Sequence, residues 1–228
     1  TGTEEGYGED PFLIGEMTTA YTQGMAGDHP TYRRVIPTLK HFCANNNEKE
    51  RNSCSSNVTP RTLREYYYRA FEASIVRGGT GSMMTAYNEL SGVPACMNPD
   101  LKTLVKKQWG LEFVVTDGAD FSQNVLAHHS HATHAEALAA CLKNGNDVMT
   151  DEADMVAAAA RDALDRGLLT EADIDRAVGN SLSGRFRLGE FDGDSCPYNT
   201  EPAETDTLLH RAVTVSYTHL RAHETLRH

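Results

Sequence analysis

The chain lacks a basic surplus. Lys and Arg number 21 against 32 Asp and Glu, for a formal net charge of -11. Phosphate binding needs a cationic face, so this balance argues against a nucleic-acid partner. It argues equally against an anionic membrane surface. No apolar run approaches the roughly 20 residues of a membrane-spanning helix. There is no C-x-x-C, and the five cysteines (Cys43, Cys54, Cys96, Cys141 and Cys196) are odd in number and widely spaced. That pattern is neither a disulfide framework nor a zinc ribbon. Buried free thiols are the expectation, and they favour a reducing compartment such as the cytoplasm. A first methionine is also missing, so sequence upstream of Thr1 is expected and the lack of a signal peptide carries no weight.

What is present is an ordinary globular composition, 39% hydrophobic and 23% charged over 228 residues. That is enough for one sizeable domain with a core. Apolar runs alternate with amphipathic segments. The pattern predicts helices over 11–27, 59–77, 98–110, 133–145, 153–166 and 171–184. Pro11, Pro60 and Pro99 mark helix starts, and Gly27, Gly78-Gly79, Gly110 and Gly145 mark stops. In the second helix Leu63, Tyr67, Ala70, Phe71 and Ile75 share a face. Thr170, with Asp173 three residues on, reads as a cap. Strands are predicted over 35–42, 81–88, 112–117 and 146–151. Strand–helix alternation with short loops implies a parallel α/β sheet. Chemistry in such sheets gathers at the carboxyl ends of the strands. Here those ends carry Lys40-His41, Tyr87-Asn88, Asp117 and Asp147/Asp151. "FVVTDGAD" (113–120) runs an apolar strand straight into Asp117, a costly place for a charge unless something uses it. Four strands are too few to close an eight-stranded barrel, which leaves an open sheet or a piece of a barrel.

Taken in order, "GYGEDPFLIG", "LKHFCANNNEKERN", "GSMMTAYNELSGVPACMNPD" and "FVVTDGAD" resemble glycoside hydrolase family 3, over roughly residues 5 to 210. The resemblance implies an incomplete (β/α)8 TIM-type barrel, parallel strands alternating with helices, over 1–195. It implies the start of a linker at 196–214, leading to a second domain that this chain does not encode. By that resemblance Asp117 is the nucleophile, Lys40, His41 and Arg51 clamp sugar hydroxyls, and Tyr87 stands beside the nucleophile. The implied activity is a retaining exo-β-glycosidase on β-linked glucosides or xylosides, acting through a covalent glycosyl-enzyme intermediate. The substrate would be a small oligosaccharide or an aryl or alkyl β-glycoside, with no cofactor and no metal. The missing C-terminal domain would supply the acid/base, so this chain is expected to be inactive alone. "KHFCANNNEKERN" differs from the "KHFPGHG" of the N-acetylglucosaminidase branch and points to the β-glucosidase/β-xylosidase branch.

Three departures stand out. Gly118 replaces the family's usual tryptophan after the nucleophile, Thr1-Gly2 stands where many members have Gly-Arg, and "GLEFVV" is one residue short. They keep alive an alternative, a catalytically dead sugar-binding homologue. Retention needs two carboxyl groups about 5 Å apart. Asp147 and Asp151 are the local candidates beside Asp117. Asp120 is expected to point elsewhere, with no sign of a raised pKa. Glu48 and Asn47 face either the pocket or solvent. "HHSHATH" (128–134) suggests a metal, but without paired cysteines it reads better as pocket lining or a solvated loop. "GLLTEADIDRAVGNSL" looks like a helix-turn-helix, yet the acidic charge favours packing on the barrel exterior. The tail "VSYTHLRAHETLRH" (215–228) resembles a non-native read-through, which would end the native sequence near Thr214.

Overall fold

A computed structural model describes residues 6–199 and Arg211. The expected tail, most of the expected linker and the Thr1-Gly2 departure lie outside the described residues. Three short strands, β1 (Thr38–Phe42), β3 (Ser82–Thr85) and β6 (Phe113–Val115), form a parallel sheet in the order β1-β3-β6. The sheet is open: among the described residues its strands do not close on themselves. A second small sheet, not expected from the sequence, pairs β2 (Ser55–Ser56) with the hairpin β4 (Glu89–Leu90) and β5 (Val93–Pro94). Its strands are two residues long, too short to carry a readable alternation.

The expected fourth strand, 146–151, is a single bridge between Val115 and Val148. Side chains occupy much of what a ladder would use. Asp147 Oδ2 accepts the Val114 N–H at 2.8 Å. Thr116 Oγ1 accepts the Thr150 N–H at 2.8 Å, while Thr150 Oγ1 donates to the Thr116 carbonyl. The segment therefore still runs along β6, in the position that parallel order requires.

Helices flank the sheet. α1 (Pro11–Ala26) begins on an Asp10 cap, whose side chain accepts the Phe12 N–H at 2.9 Å. It crosses the later part of the second helix closely: a Cβ added at Gly15 would sit 2.8 Å from Ala73 Cβ. That second helix is not uniformly α. It runs as α2 (Pro60–Thr62), a π segment (Leu63–Tyr67) and α3 (Tyr68–Val76). The wider turn takes up an extra residue and rotates the phase of α3. Tyr68, rather than the expected Tyr67, is fully buried, stacked 5.2 Å from Phe42 with its hydroxyl 2.9 Å from Asp100 Oδ2. The expected 98–110 helix is likewise a π segment, Leu101–Lys106.

α4 (Asp120–Leu126), not expected from the sequence, begins three residues after Asp117. α5 (His134–Lys143) and α7 (Glu171–Arg187) start on reciprocal capping boxes, Thr133/Glu136 and Thr170/Asp173, and α6 (Ala153–Asp165) lies between them in the chain. Two apolar clusters hold the layers. One joins Phe42, Met83, Leu101, Val105 and Val114 under the sheet, and the other joins Phe121, Leu138, Cys141, Ala159 and Ala163 among α4, α5 and α6. Every cysteine is free; Cys54 is half-buried and the other four are buried. Among the described residues no helix is long and apolar enough to cross a membrane.

Candidate active site

Parallel pairing delivers the ends of β1, β3 and β6 to one edge, and three of the expected residues meet there. His41 Nε2 lies 3.1 Å from Asp117 Oδ2, with both side chains mostly buried. The Gly118 N–H donates to Asp117 Oδ1 at 2.7 Å, a local turn that fixes the carboxylate's tilt. Burial disfavours the Asp117 charge, but the His41 hydrogen bond, the Gly118 N–H, the His41 charge and the Tyr87 hydroxyl outweigh it. The carboxyl is therefore held below its usual value. A carboxylate that remains ionised while half sheltered from water is what an attacking oxygen requires.

Tyr87 sits across from it. Its hydroxyl donates to the Gly118 carbonyl at 2.6 Å, so it braces the loop that follows Asp117 as well as standing near the Asp117 charge. Burial raises the Tyr87 hydroxyl, Asp117 adds to this and Arg51 opposes it, so Tyr87 stays a neutral donor. Arg51 lies over the Tyr87 ring, with its Cζ 4.8 Å from the ring centroid, and pairs with Glu48 at 3.1 Å. Lys40 is exposed on β1 beside His41. A Cβ placed on Gly118 would meet nothing nearer than the Tyr87 hydroxyl at 4.0 Å, so the place of the family's tryptophan is open space.

The other carboxylates turn out differently from expectation. Asp147 belongs to the amino end of the sheet, not the carboxyl end. It pairs with Lys106, accepts the Val114 N–H, and takes an Asn180 amide hydrogen at 2.9 Å. Asp151 is at the correct end, but its oxygens accept the Phe121 and Ser122 N–H groups at 3.3 and 3.1 Å, opening α4. Asp120 is fully buried and turned toward the Thr85 hydroxyl. The expectation that nothing raises its pKa is wrong. It is pushed up to about 8: desolvation is the largest cause, the Thr85 hydroxyl, 3.0 Å away, opposes it, and the charges of Asp117 and Asp151 add to it. The pattern T-D-x-x-D gave no hint of this, because burial of the second aspartate depends on β3 and α4 packing together.

The histidine run is divided among separate duties. His128 Nε2 contacts the Tyr87 carbonyl at 2.7 Å, His129 Nδ1 contacts the Val125 carbonyl at 2.9 Å, and the His134 ring packs 5.7 Å from Phe121. Among the described residues no group of three or more His, Cys, Asp or Glu is placed to hold a metal. Among the described residues one groove of about 400 Å³ lies between α1 and α3, and another of about 540 Å³ lies near His29 and Arg187. Neither is lined by any of the residues around Asp117.

This chain is similar to a beta-D-xylosidase 1 of Arabidopsis thaliana, 32% identical across 95% of the chain and 29% of the relative. It is 35% identical to a beta-glucosidase of Ruminococcus albus, across 88% of the chain and 21% of the relative. A solved GH3 exo-beta-xylosidase, in complex with a xylobiose aziridine activity-based probe, superposes with a TM-score of 0.80 at 27% identity, across 86% of the chain and 26% of that structure. The chain thus spans under a third of the length of these relatives. The profile of the glycosyl hydrolase family 3 N-terminal domain matches residues 1–183, and the chain belongs to that family.

Proposed function

We propose that the longer protein carrying this chain is a retaining exo-β-glycosidase acting on β-linked glucosides or xylosides. The observation that carries the reading is the Asp117 carboxylate, held ionised at the carboxyl end of β6 with His41 Nε2 3.1 Å away. In this reading an Asp117 oxygen attacks the anomeric carbon, the bond to the leaving oxygen breaks, and water later releases the sugar. Lys40, His41 and Arg51 donate to sugar hydroxyls, and such bonds strengthen as positive charge develops on the ring. The open parallel arc is then one side of a (β/α)8 barrel completed by other parts of the longer protein. Relatives named as xylosidases and as a glucosidase both support the substrate class and leave the choice between the two sugars open.

The leaving group needs a proton, worth about 10²–10⁴-fold. Asp120 keeps its proton but is buried beneath the loop, and Asp151 is occupied with the start of α4. In this reading the acid/base comes from a second domain of the longer protein, as the family resemblance implies. Residues 1–228 alone, if they turn over anything, should cleave an aryl glycoside with an activated leaving group and spare an unactivated one. Comparable turnover of both would place an acid/base within this chain. The decisive experiment is trapping with a 2-fluoro glycoside in the longer protein, followed by peptide mapping. The label is expected on Asp117, and a label on any other residue sinks the assignment. Gly118 favours a second reading, a sugar-binding homologue without catalysis. Tight binding of xylose or glucose with no trapping and no aryl glycoside turnover would select it.

A further inference from the structure

Tyr87 is held from both ends of α4. Its hydroxyl reaches the Gly118 carbonyl just before the helix, and its own carbonyl meets His128 Nε2 just after it. The His128 side chain is wholly buried, and its other nitrogen, Nδ1, lies 3.4 Å from Glu89 Oε1 without a hydrogen bond. A carbonyl can only accept, so Nε2 carries a hydrogen. Glu89 lies two residues beyond Tyr87 and is itself anchored, its N–H donating to the Cys54 carbonyl at 2.9 Å. Asn88 between them is fully buried, with its amide on the Cys43 carbonyl and Ser56 Oγ at 3.2 Å each. The segment 87–89 is thus bolted to the loop after β1 on one side and to His128 on the other.

We propose that His128, through its hydrogen bond to the Tyr87 carbonyl, is a positioning residue that sets the Tyr87 hydroxyl against the nucleophile loop. The proposal rests on the reading of Asp117 as nucleophile. A histidine buried far from solvent and bonded to a backbone carbonyl could serve packing alone. What marks this one is its target. It grips the residue whose hydroxyl braces Gly118, the neighbour of Asp117. Losing the grip lets residue 87 shift while the rest of the site stays in place. Small misplacements of such groups cost rate rather than affinity.

The test uses the longer protein and three substitutions, alone and combined. His128→Asn is too short to reach the Tyr87 carbonyl. His128→Gln can still place an amide N–H where Nε2 stood. Tyr87→Phe removes the hydroxyl that the grip is meant to aim. His128→Asn should lower kcat for an aryl glycoside by about 10- to 100-fold with KM changed by less than about threefold. His128→Gln should restore most of that loss. In the Tyr87→Phe background, His128→Asn should add less than about twofold, since it acts through the missing hydroxyl. Independent, multiplying losses in the double variant would overturn the proposal, as would wild-type rates in His128→Asn. Should His128→Asn fail to fold by its melting profile, His128→Gln decides: a retained rate supports the grip and a loss beyond about tenfold overturns it. The 2-fluoro glycoside label separates the two layers. A label away from Asp117 defeats the functional reading itself, whereas a label on Asp117 with additive kinetics defeats only the role of His128.

Discussion

The two ends of the parallel sheet treat buried aspartates in opposite ways. At the amino end Asp147 is saturated: Lys106, the Val114 N–H and the Asn180 amide take its oxygens. Burial lowers the Lys106 ammonium and the neighbouring Asp147 charge opposes that, the expected signs for an ion pair inside a protein. At the carboxyl end Asp117, Asp120 and Asp151 gather, and they are not saturated together. Asp117 has His41 and one backbone N–H, Asp151 is occupied by α4, and Asp120 answers its burial by keeping its proton. A structural end neutralises its charges. The carboxyl end, the chemical one under the proposed function, leaves one carboxylate ionised and reachable and pushes the titration of its neighbours apart.

The largest expected effect breaks the chemical end. Asp117→Asn in the longer protein should lower kcat for an aryl glycoside by about 10⁴-fold or more, since under the proposed mechanism it removes the attacking oxygen. Its melting temperature should stay near wild type. In the unmodified protein the Asp117 carboxyl is shifted below its ordinary 3.8, so its ionised form should be lost only as pH falls through a value beneath that. A kcat/KM profile whose acid limb lies well above pH 4, and moves with no other residue, would contradict this.

Breaking the structural end should show the reverse. Asp147→Ala leaves the Lys106 ammonium buried without its partner, a change that typically costs about 3–5 kcal/mol. Urea unfolding reads it directly. A variant that kept its midpoint but lost its turnover would erase the contrast between the two ends.

A finer comparison uses Asp120. Its folded pKa, about 8, stands above the ordinary 3.8, so between those values the native state holds a proton that the unfolded chain has released. Stability therefore falls as pH rises through that window and levels off above about 8. Asp120→Asn mimics the neutral acid and should flatten this slope, with the gain over wild type growing from pH 5 to pH 8. Parallel urea midpoints for the two proteins across that range would show that Asp120 is ionised in the folded state after all. The smallest effect concerns Asp151, whose oxygens accept two N–H groups at the start of α4. Asp151→Ala should cost about 1 kcal/mol, the usual loss when a cap is removed. A much larger loss of activity than of stability would give Asp151 a chemical part.

Local signals in the chain were enough for the ends of several flanking helices and for the conflict at Asp117. Proline starts, glycine stops and the Thr170/Asp173 pair mark helix ends, because capping is settled by residues close together in the chain. The apolar run ending at Asp117 exposes a conflict between a buried strand and a charge, and that conflict is visible without coordinates. Parallel order was legible too, since short connections between strands and helices admit little else. Other features depended on what packs against what. The phase of the second helix follows a π turn, after which Tyr68 stacks inward on Phe42. Residues 146–151 keep a single bridge rather than a full ladder, because Asp147, Thr116 and Thr150 side chains took some of the backbone's partners. The opposite fates of Asp120 and Asp147 were decided in the same way. Both sit near apolar sequence, and only the folded chain puts Lys106 beside one and Thr85 and two further carboxylates beside the other. A side chain's charge state is a property of its surroundings in three dimensions, and here those surroundings come from residues 35 and 41 positions away in the chain.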